Sequence, residues 1–191
     1  LSMAYNIKDV FYLSTSADID NSTAGGGSAQ LDLSAYIDPI ARGRTKGTGL
    51  AIYKVHWGMS QTANGEPIDD AEAGTLRAGL LAGFGLGDNA TGAASFAAAA
   101  FEMTNALLIG SYDFYGPKSM VANACTTPNM YNTMLEPDTA VPYVVVRDNC
   151  VLGYDVGDNF TTDHTISVRL EVAQISLDQS TLNQLLRTQT V

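Results

Sequence analysis

The sequence predicts an all-β fold: a single antiparallel β-sandwich, jelly-roll-like, of about eight strands with two short helices and long loops, spanning residues 1–191. Fifteen of its twenty acidic residues are aspartate, which prefers turns and caps to helix interiors. Many of these aspartates lie beside glycine or asparagine, between segments that alternate apolar and polar residues. Such spacing is typical of sandwiches and barrels. No strand–helix–strand rhythm is present, which argues against a doubly wound α/β fold.

Three segments have the period of two that a half-buried strand requires. In the strand predicted over 51–60, the odd-numbered residues share one face, namely Ala51, Tyr53, Val55, Trp57 and Met59. After Thr165 one face consists of Ile166, Val168, Leu170 and Val172. The third segment, 141–146, is β-branched and aromatic, and Pro142 fits only near a strand start or at a sheet edge.

The remaining elements are predicted from weaker signals. Apolar runs between turn clusters give five further strands, at 6–14, 29–37, 76–84, 106–114 and 151–156. An alanine-rich helix is predicted at 93–105, and a C-terminal helix is capped by Ser180 and carries Leu182, Leu185 and Leu186 at helical spacing. Long loops are predicted at 15–28 and 116–140. The second contains several Met and Tyr residues, so we expect it to be covered by the sandwich or by a neighbouring subunit.

Charge restricts the partners. The net charge is −10, which disfavours binding to nucleic acid or to anionic lipid, and no apolar segment reaches the ~20 residues of a membrane span. Three of the ten basic residues form a local exception, Arg42, Arg44 and Lys46. This positive loop is open to three interpretations: an ordinary solvated loop, a seat for an acidic copy of the same chain, or a contact with packaged nucleic acid.

Catalytic signals are weak. His56 and His164 are the only histidines, and the sequence contains no nucleophile elbow, no His-Glu-x-x-His motif and no Cys-x-x-Cys motif. The glycines at 79, 83, 85 and 87 lack the spacing of a dinucleotide-binding loop and are predicted to mark close backbone approaches or bulges. We therefore expect a protein that is not an enzyme and that needs no cofactor.

Three polar groups have open alternatives. Asp155, Asp158, Asn159 and Asp163 fall within nine residues and form either a calcium site or a polar hairpin loop. The acidic run of Asp69, Asp70 and Glu72 is predicted to be a solvated turn or a helix start after Pro67. Cys125 and Cys150 form either one disulfide or two buried thiols.

These observations favour a structural, self-assembling subunit of a virion or other large particle. At the level of fold class the combination resembles viral single-barrel capsid proteins, which implies a capsid or virion protein whose main partners are copies of itself. The predicted interface residues are Arg42, Arg44, Lys46, Met130, Tyr131 and Met134. The alternative is an extracellular β-sandwich module that binds carbohydrate or protein through Trp57 or a loop tyrosine, with or without calcium. The expected location is the virion or the extracellular space.

Overall fold

The computed structural model describes residues 9–21, 25–38, 46–68, 72–83, 98–116 and 130–189. These residues form nine strands, a short 3₁₀ helix at Ala98–Phe101 and one α-helix, α1 (Gln179–Thr188). The strands are β1 (Phe11–Ile19), β2 (Gly26–Asp32), β3 (Lys46–Gln61), β4 (Thr75–Leu81), β5 (Leu108–Tyr115), β6 (Met130–Leu135), β7 (Tyr143–Val145), β8 (Asn149–Val156) and β9 (His164–Asp178). None of the described helices is long and apolar enough to cross a membrane.

The strands form two antiparallel sheets with jelly-roll topology. Sheet 1 has the order β1-β9-β3-β7 and sheet 2 has the order β2-β8-β4-β5-β6. The pairs are nested along the chain: β1 with β9, β2 with β8, β3 with β7 and β4 with β5. Nesting of this kind is a long hairpin rolled into two facing sheets, which is the jelly roll. The fold-class prediction is confirmed, and β6 is an additional strand at the edge of sheet 2.

The main core lies between the two sheets, and β9 supplies one side of it as predicted. Ile166, Val168, Leu170 and Val172 all point into this core. The opposite face of β9 is exposed in its first half and covered by α1 in its second half. There a second apolar cluster joins Ala173, Ile175 and Leu177 of β9 to the buried Leu182 of α1. The helix therefore closes the outer face of sheet 1.

The face predicted for β3 is wrong in its first half. The register with β9 shifts between Ile52 and Lys54, so Tyr53 is the extra residue of a β-bulge. Ile52 and Val55 both point into the core between the sheets, whereas Ala51 and Tyr53 lie in the cluster beneath α1. One inserted residue exchanges the two faces of a strand, which explains why strict alternation failed at this position.

The predicted loops are shorter than expected. The segment 15–28 includes the second half of β1 and the start of β2, and the segment 116–140 contains β6. These segments have little intrinsic preference for strand, and they become strands because they pair with β9, β8 and β5. The described residues therefore contain nine strands, against about eight predicted.

Both helix predictions need correction. Within the part of 93–105 that is described, the structure has only the 3₁₀ helix at Ala98–Phe101, followed by turns. The N-cap of α1 is Asp178 and not Ser180, because the Asp178 carboxylate accepts a hydrogen bond from the backbone N–H of Thr181 at 2.7 Å.

The glycine prediction is confirmed at Gly79. The 3₁₀ helix packs on the outer face of sheet 2, where Phe101 belongs to a small apolar cluster with Leu81, Leu108 and Val151. A Cβ atom at Gly79 would lie 2.7 Å from Phe101 Cδ1, so only glycine permits this contact. Gly85 and Gly87 lie outside the described residues.

Candidate interaction surface

The described residues leave one side of the sandwich open. β3 pairs with β9 along its whole length, but β7 pairs with β3 only at Leu50–Ile52. Among the described residues, the edge of β3 at 53–60 therefore has no strand beside it. Sheet 2 has five strands against four in sheet 1. As a result, part of the inner face of β5 and β6 has no strand of sheet 1 over it.

A groove of about 410 Å³ lies in this opening, and we call it the aromatic groove. Three of its rings form a continuous run: Trp57 stacks on Tyr112 with ring centroids 5.7 Å apart, and Tyr112 stacks on Tyr131 at 6.5 Å. Among the described residues that line the groove, none is charged. Its lining consists of Trp57, Gly58, Met59, Pro67, Ile68, Tyr112, Phe114 and Tyr131.

The groove is partly shielded from water, and the pKa of Tyr112 reflects this. Burial raises the pKa of Tyr112 to about 12, and the neighbouring Tyr131 adds to this effect. The indole N–H of Trp57 is buried and has no hydrogen-bond partner among the described residues. A buried donor without an acceptor is costly and rare in native proteins. It marks the place where a ligand could supply an acceptor.

The edge strand β6 borders the groove and is itself uncharged, with the sequence MYNTML. Tyr131 is 74% exposed and Met134 is 47% exposed. Exposed edge strands usually carry lysine, proline or other charges that prevent pairing with another chain. β6 has none of these devices.

The described residues of the interface predicted from the sequence lie on two strands. Tyr131 and Met134 lie on β6 together with Met130. Lys46 is exposed at the first residue of β3, eleven residues before Trp57, which is about 35 Å along an extended strand. Arg42 and Arg44 lie outside the described residues. Tyr112 and Trp57 of the groove were absent from the predicted interface, because only the packing of β3 over β5 brings them together.

A second polar centre contradicts the solvated turn predicted at Glu72. The Glu72 side chain is fully buried. Its carboxylate accepts hydrogen bonds from Thr161 N at 2.9 Å, from Thr161 Oγ1 at 2.7 Å and from Gly74 N at 3.2 Å. The buried His164 places Nε2 3.9 Å from Glu72 Oε2. Asp69 and Asp70, the other members of the predicted turn, lie outside the described residues.

The Glu72–His164 centre ties two loops together rather than forming a nucleophile–base pair. The carbonyl oxygen of Thr162 can only accept, so Nδ1 of His164 donates to it at 2.8 Å. The Phe160 ring packs on the imidazole with centroids 4.8 Å apart. The centre connects the segment before β4 to the segment before β9. Nothing in the spacing of the sequence indicated this contact.

The other candidate residues have structural roles. His56 lies on the outer face of sheet 1, 2.9 Å from Glu171 of β9. Asp163 accepts from the backbone N–H of Asn21 at 2.9 Å, and Asp155 is a paired residue of β8. Within the ranges that the structure describes, no group of three His, Cys, Asp or Glu side chains is close enough to hold a metal ion. The calcium hypothesis for Asp155, Asp158 and Asp163 therefore has no support from this geometry.

Two further buried groups stabilise sheet 2. Cys150 is a free, fully buried thiol, and burial raises its pKa to about 12. Cys125 lies outside the described residues. Arg77 donates two parallel hydrogen bonds of 2.9 Å to the buried Asp113, an arrangement that raises the pKa of Arg77. Tyr115 donates a third hydrogen bond to Asp113 at 3.1 Å.

Comparison with known proteins finds similarity at the level of structure. No protein-family model and no curated protein matches the sequence. Similar solved structures include the VP1 protein of human polyomavirus 12 in complex with 3'-sialyllactosamine, at a TM-score of 0.42 and 10% identity, with 89% of this chain and 100% of that chain covered. Another is VP1 of the trichodysplasia spinulosa-associated polyomavirus in complex with GM1 oligosaccharide, at a TM-score of 0.34 and 7% identity, covering 87% and 94%. The jelly-roll assignment rests on the strand pairing of this chain itself.

Proposed function

We propose that this protein is a non-enzymatic structural subunit that assembles with copies of itself into the shell of a virion or another large particle. The observation that carries the proposal is the side of the sandwich that the described residues leave open, where the aromatic groove adjoins the edge strand β6 and neither the described lining of the groove nor β6 carries a charge. Exposed apolar surface next to an unpaired strand edge is typical of an interaction site.

Charge supports the same conclusion. With a net charge of −10, two copies repel each other over distances up to the Debye length, about 8 Å at physiological salt. Contact between copies is therefore favoured where neither surface carries a carboxylate, and the described lining of the aromatic groove and the residues of β6 meet that condition. Jelly rolls build viral capsids, lectins and cupins, so the fold class alone does not separate these functions.

The test is the assembly state of the purified protein. Size-exclusion chromatography with light scattering across a concentration series should show a defined homo-oligomer, and electron microscopy of the same fractions should show particles of uniform shape. A monomer that stays stable at high concentration in physiological salt and calcium would contradict the proposal.

A second candidate function is an extracellular carbohydrate-binding module. The observation that favours it is the ring run of Trp57, Tyr112 and Tyr131, because a sugar ring can stack on an exposed aromatic face. The test is binding to a glycan panel, repeated with Trp57→Ala, together with melting curves with and without calcium. Absence of binding and of any calcium-dependent shift would eliminate this candidate.

A further inference from the structure

The open side of the sandwich has the features of a vacant strand position. Residues 53–60 of β3 have β9 on one side and, among the described residues, no strand on the other. The free edge of a strand presents a row of unpaired backbone N–H and C=O groups. A strand added there would extend sheet 1 and would lie opposite β5 and β6.

The lining of the groove indicates what such a strand must carry. Side chains on the inner face of the added strand would contact Tyr112, Phe114 and Tyr131, which are aromatic, and Met59 and Ile68, which are aliphatic. Sites that bind sugars or charged ligands place several amide, carboxylate or guanidinium groups around the ligand, and the described lining residues supply none. The groove therefore suits apolar side chains on an extended peptide better than it suits a carbohydrate.

The unpaired donor of the groove also fits a peptide backbone. Trp57 Nε1–H is buried without an acceptor among the described residues. An added strand brings a backbone carbonyl at every residue, and each carbonyl oxygen can accept two hydrogen bonds. Strand addition would thus supply an acceptor for the indole and partners for the free edge of β3 in one step.

We propose that an extended, uncharged segment of a second copy of this chain adds as a strand beside residues 53–60 and packs its side chains into the aromatic groove. This inference rests on the proposed self-assembly and specifies which surface of one copy contacts the next. The occupant is a second copy because an acidic chain avoids repulsion at an uncharged patch. In addition, the patch continues onto the exposed β6 edge through Tyr131, which belongs to both.

The experiment compares assembly of the wild type with that of Tyr131→Asp, which places a carboxylate at the rim of the groove. Tyr131 is 74% exposed, so this variant should fold, and an unchanged circular dichroism spectrum and melting temperature would verify it. Tyr12→Asp is the matched control, because Tyr12 is a 60% exposed tyrosine on β1, at the opposite edge of sheet 1. We expect Tyr131→Asp to raise the concentration of half-assembly about tenfold or more and Tyr12→Asp to leave it unchanged.

Two further readouts report on the groove itself. Trp57 is the only tryptophan, so its emission should shift to shorter wavelength as the wild type assembles. Hydrogen exchange should show that the amides of 53–60 facing away from β9 exchange fast in the monomer and slowly in the assembly.

The outcomes separate the inference from the proposed function. A wild type that stays monomeric at all concentrations refutes self-assembly. A wild type that assembles, with Tyr131→Asp assembling equally well or the 53–60 amides gaining no protection, overturns the inference alone. Protection of those amides already in the monomer would show that the chain's own residues occupy the position, and a saccharide that shifts Trp57 emission would assign the groove to carbohydrate; both results overturn the inference.

Discussion

At the scale of single residues, Glu72 shows how a charged side chain can hold a β-sandwich together. A buried carboxylate needs several donors to offset the loss of water. Glu72 has them in Thr161 and Gly74, and it faces the imidazole of His164. His164 Nδ1 donates to Thr162, and Nε2 lies 3.9 Å from Glu72 Oε2, beyond hydrogen-bond distance. The donors that hold the carboxylate are therefore those of Thr161 and Gly74.

We predict that Glu72→Ala destabilises the protein by about 3 kcal/mol, because it leaves the Thr161 and Gly74 donors unpaired in a buried site. Glu72→Gln keeps the shape and one acceptor for these donors, so it should cost less, about 1 kcal/mol. Urea unfolding with a constant m-value measures both changes. Equal losses of stability in the two variants would show that keeping the side-chain shape and one acceptor has no effect. That result would contradict this account.

At the scale of elements, the accuracy of prediction follows the regularity of each strand. β9 was predicted correctly because its alternation runs without interruption, whereas β3 was predicted on the wrong face before its bulge, since Tyr53 inserts without any mark in the residue pattern. β6 was missed because its sequence does not alternate and its position depends on pairing with β5. Tyr131 and Met134 were expected to be covered, but both are exposed on β6, so the described part of this chain's own sandwich does not cover them. The groove could not be predicted, because it arises from the packing of two sheets.

The cap of α1 gives a prediction with a defined pH dependence. The backbone N–H of Thr181 donates to Asp178 and lowers the pKa of Asp178 below its ordinary value of 3.8. The folded state thus favours the ionised form, so the contribution to stability is present above pH 3.8 and is lost as the pH falls through the lower, folded-state value.

Asp178→Ala should therefore lower the melting temperature at pH 7 by about 3 °C. Asp178→Asn is the matched control, because asparagine caps helices about as well as aspartate and does not titrate. In acid below the folded-state pKa of Asp178, the wild type and Asp178→Ala should converge, while Asp178→Asn should keep its advantage. Melting curves at pH 7 and in a descending acid series test this, and a wild-type advantage that persists unchanged in acid would contradict the role of the ionised cap.

At the scale of the whole molecule, the two sheets bury tyrosines that can ionise only in strongly alkaline solution. Burial is the main cause that raises the pKa of Tyr112 to about 12, and it also raises the pKa of Tyr143, whose hydroxyl donates to Ala106 O at 2.7 Å. Tyr143 lies on β7, and Tyr112 lines the aromatic groove. Their ionisation therefore reports on the integrity of that side of the sandwich. In the unfolded chain a tyrosine has a pKa of about 10.

We predict that stability falls as the pH rises from 10 toward 12, because the unfolded state then binds fewer phenolic protons than the folded state. Each buried tyrosine should contribute a slope of up to about 1.4 kcal/mol per pH unit in that window. Tyr112→Phe should remove one such contribution and flatten the profile, whereas Tyr12→Phe, at an exposed position, should leave it unchanged. Urea midpoints measured from pH 9 to pH 11.5 give the profile. A slope that is identical in the wild type and in Tyr112→Phe would show that Tyr112 is not desolvated and that water already fills the open side of the sandwich.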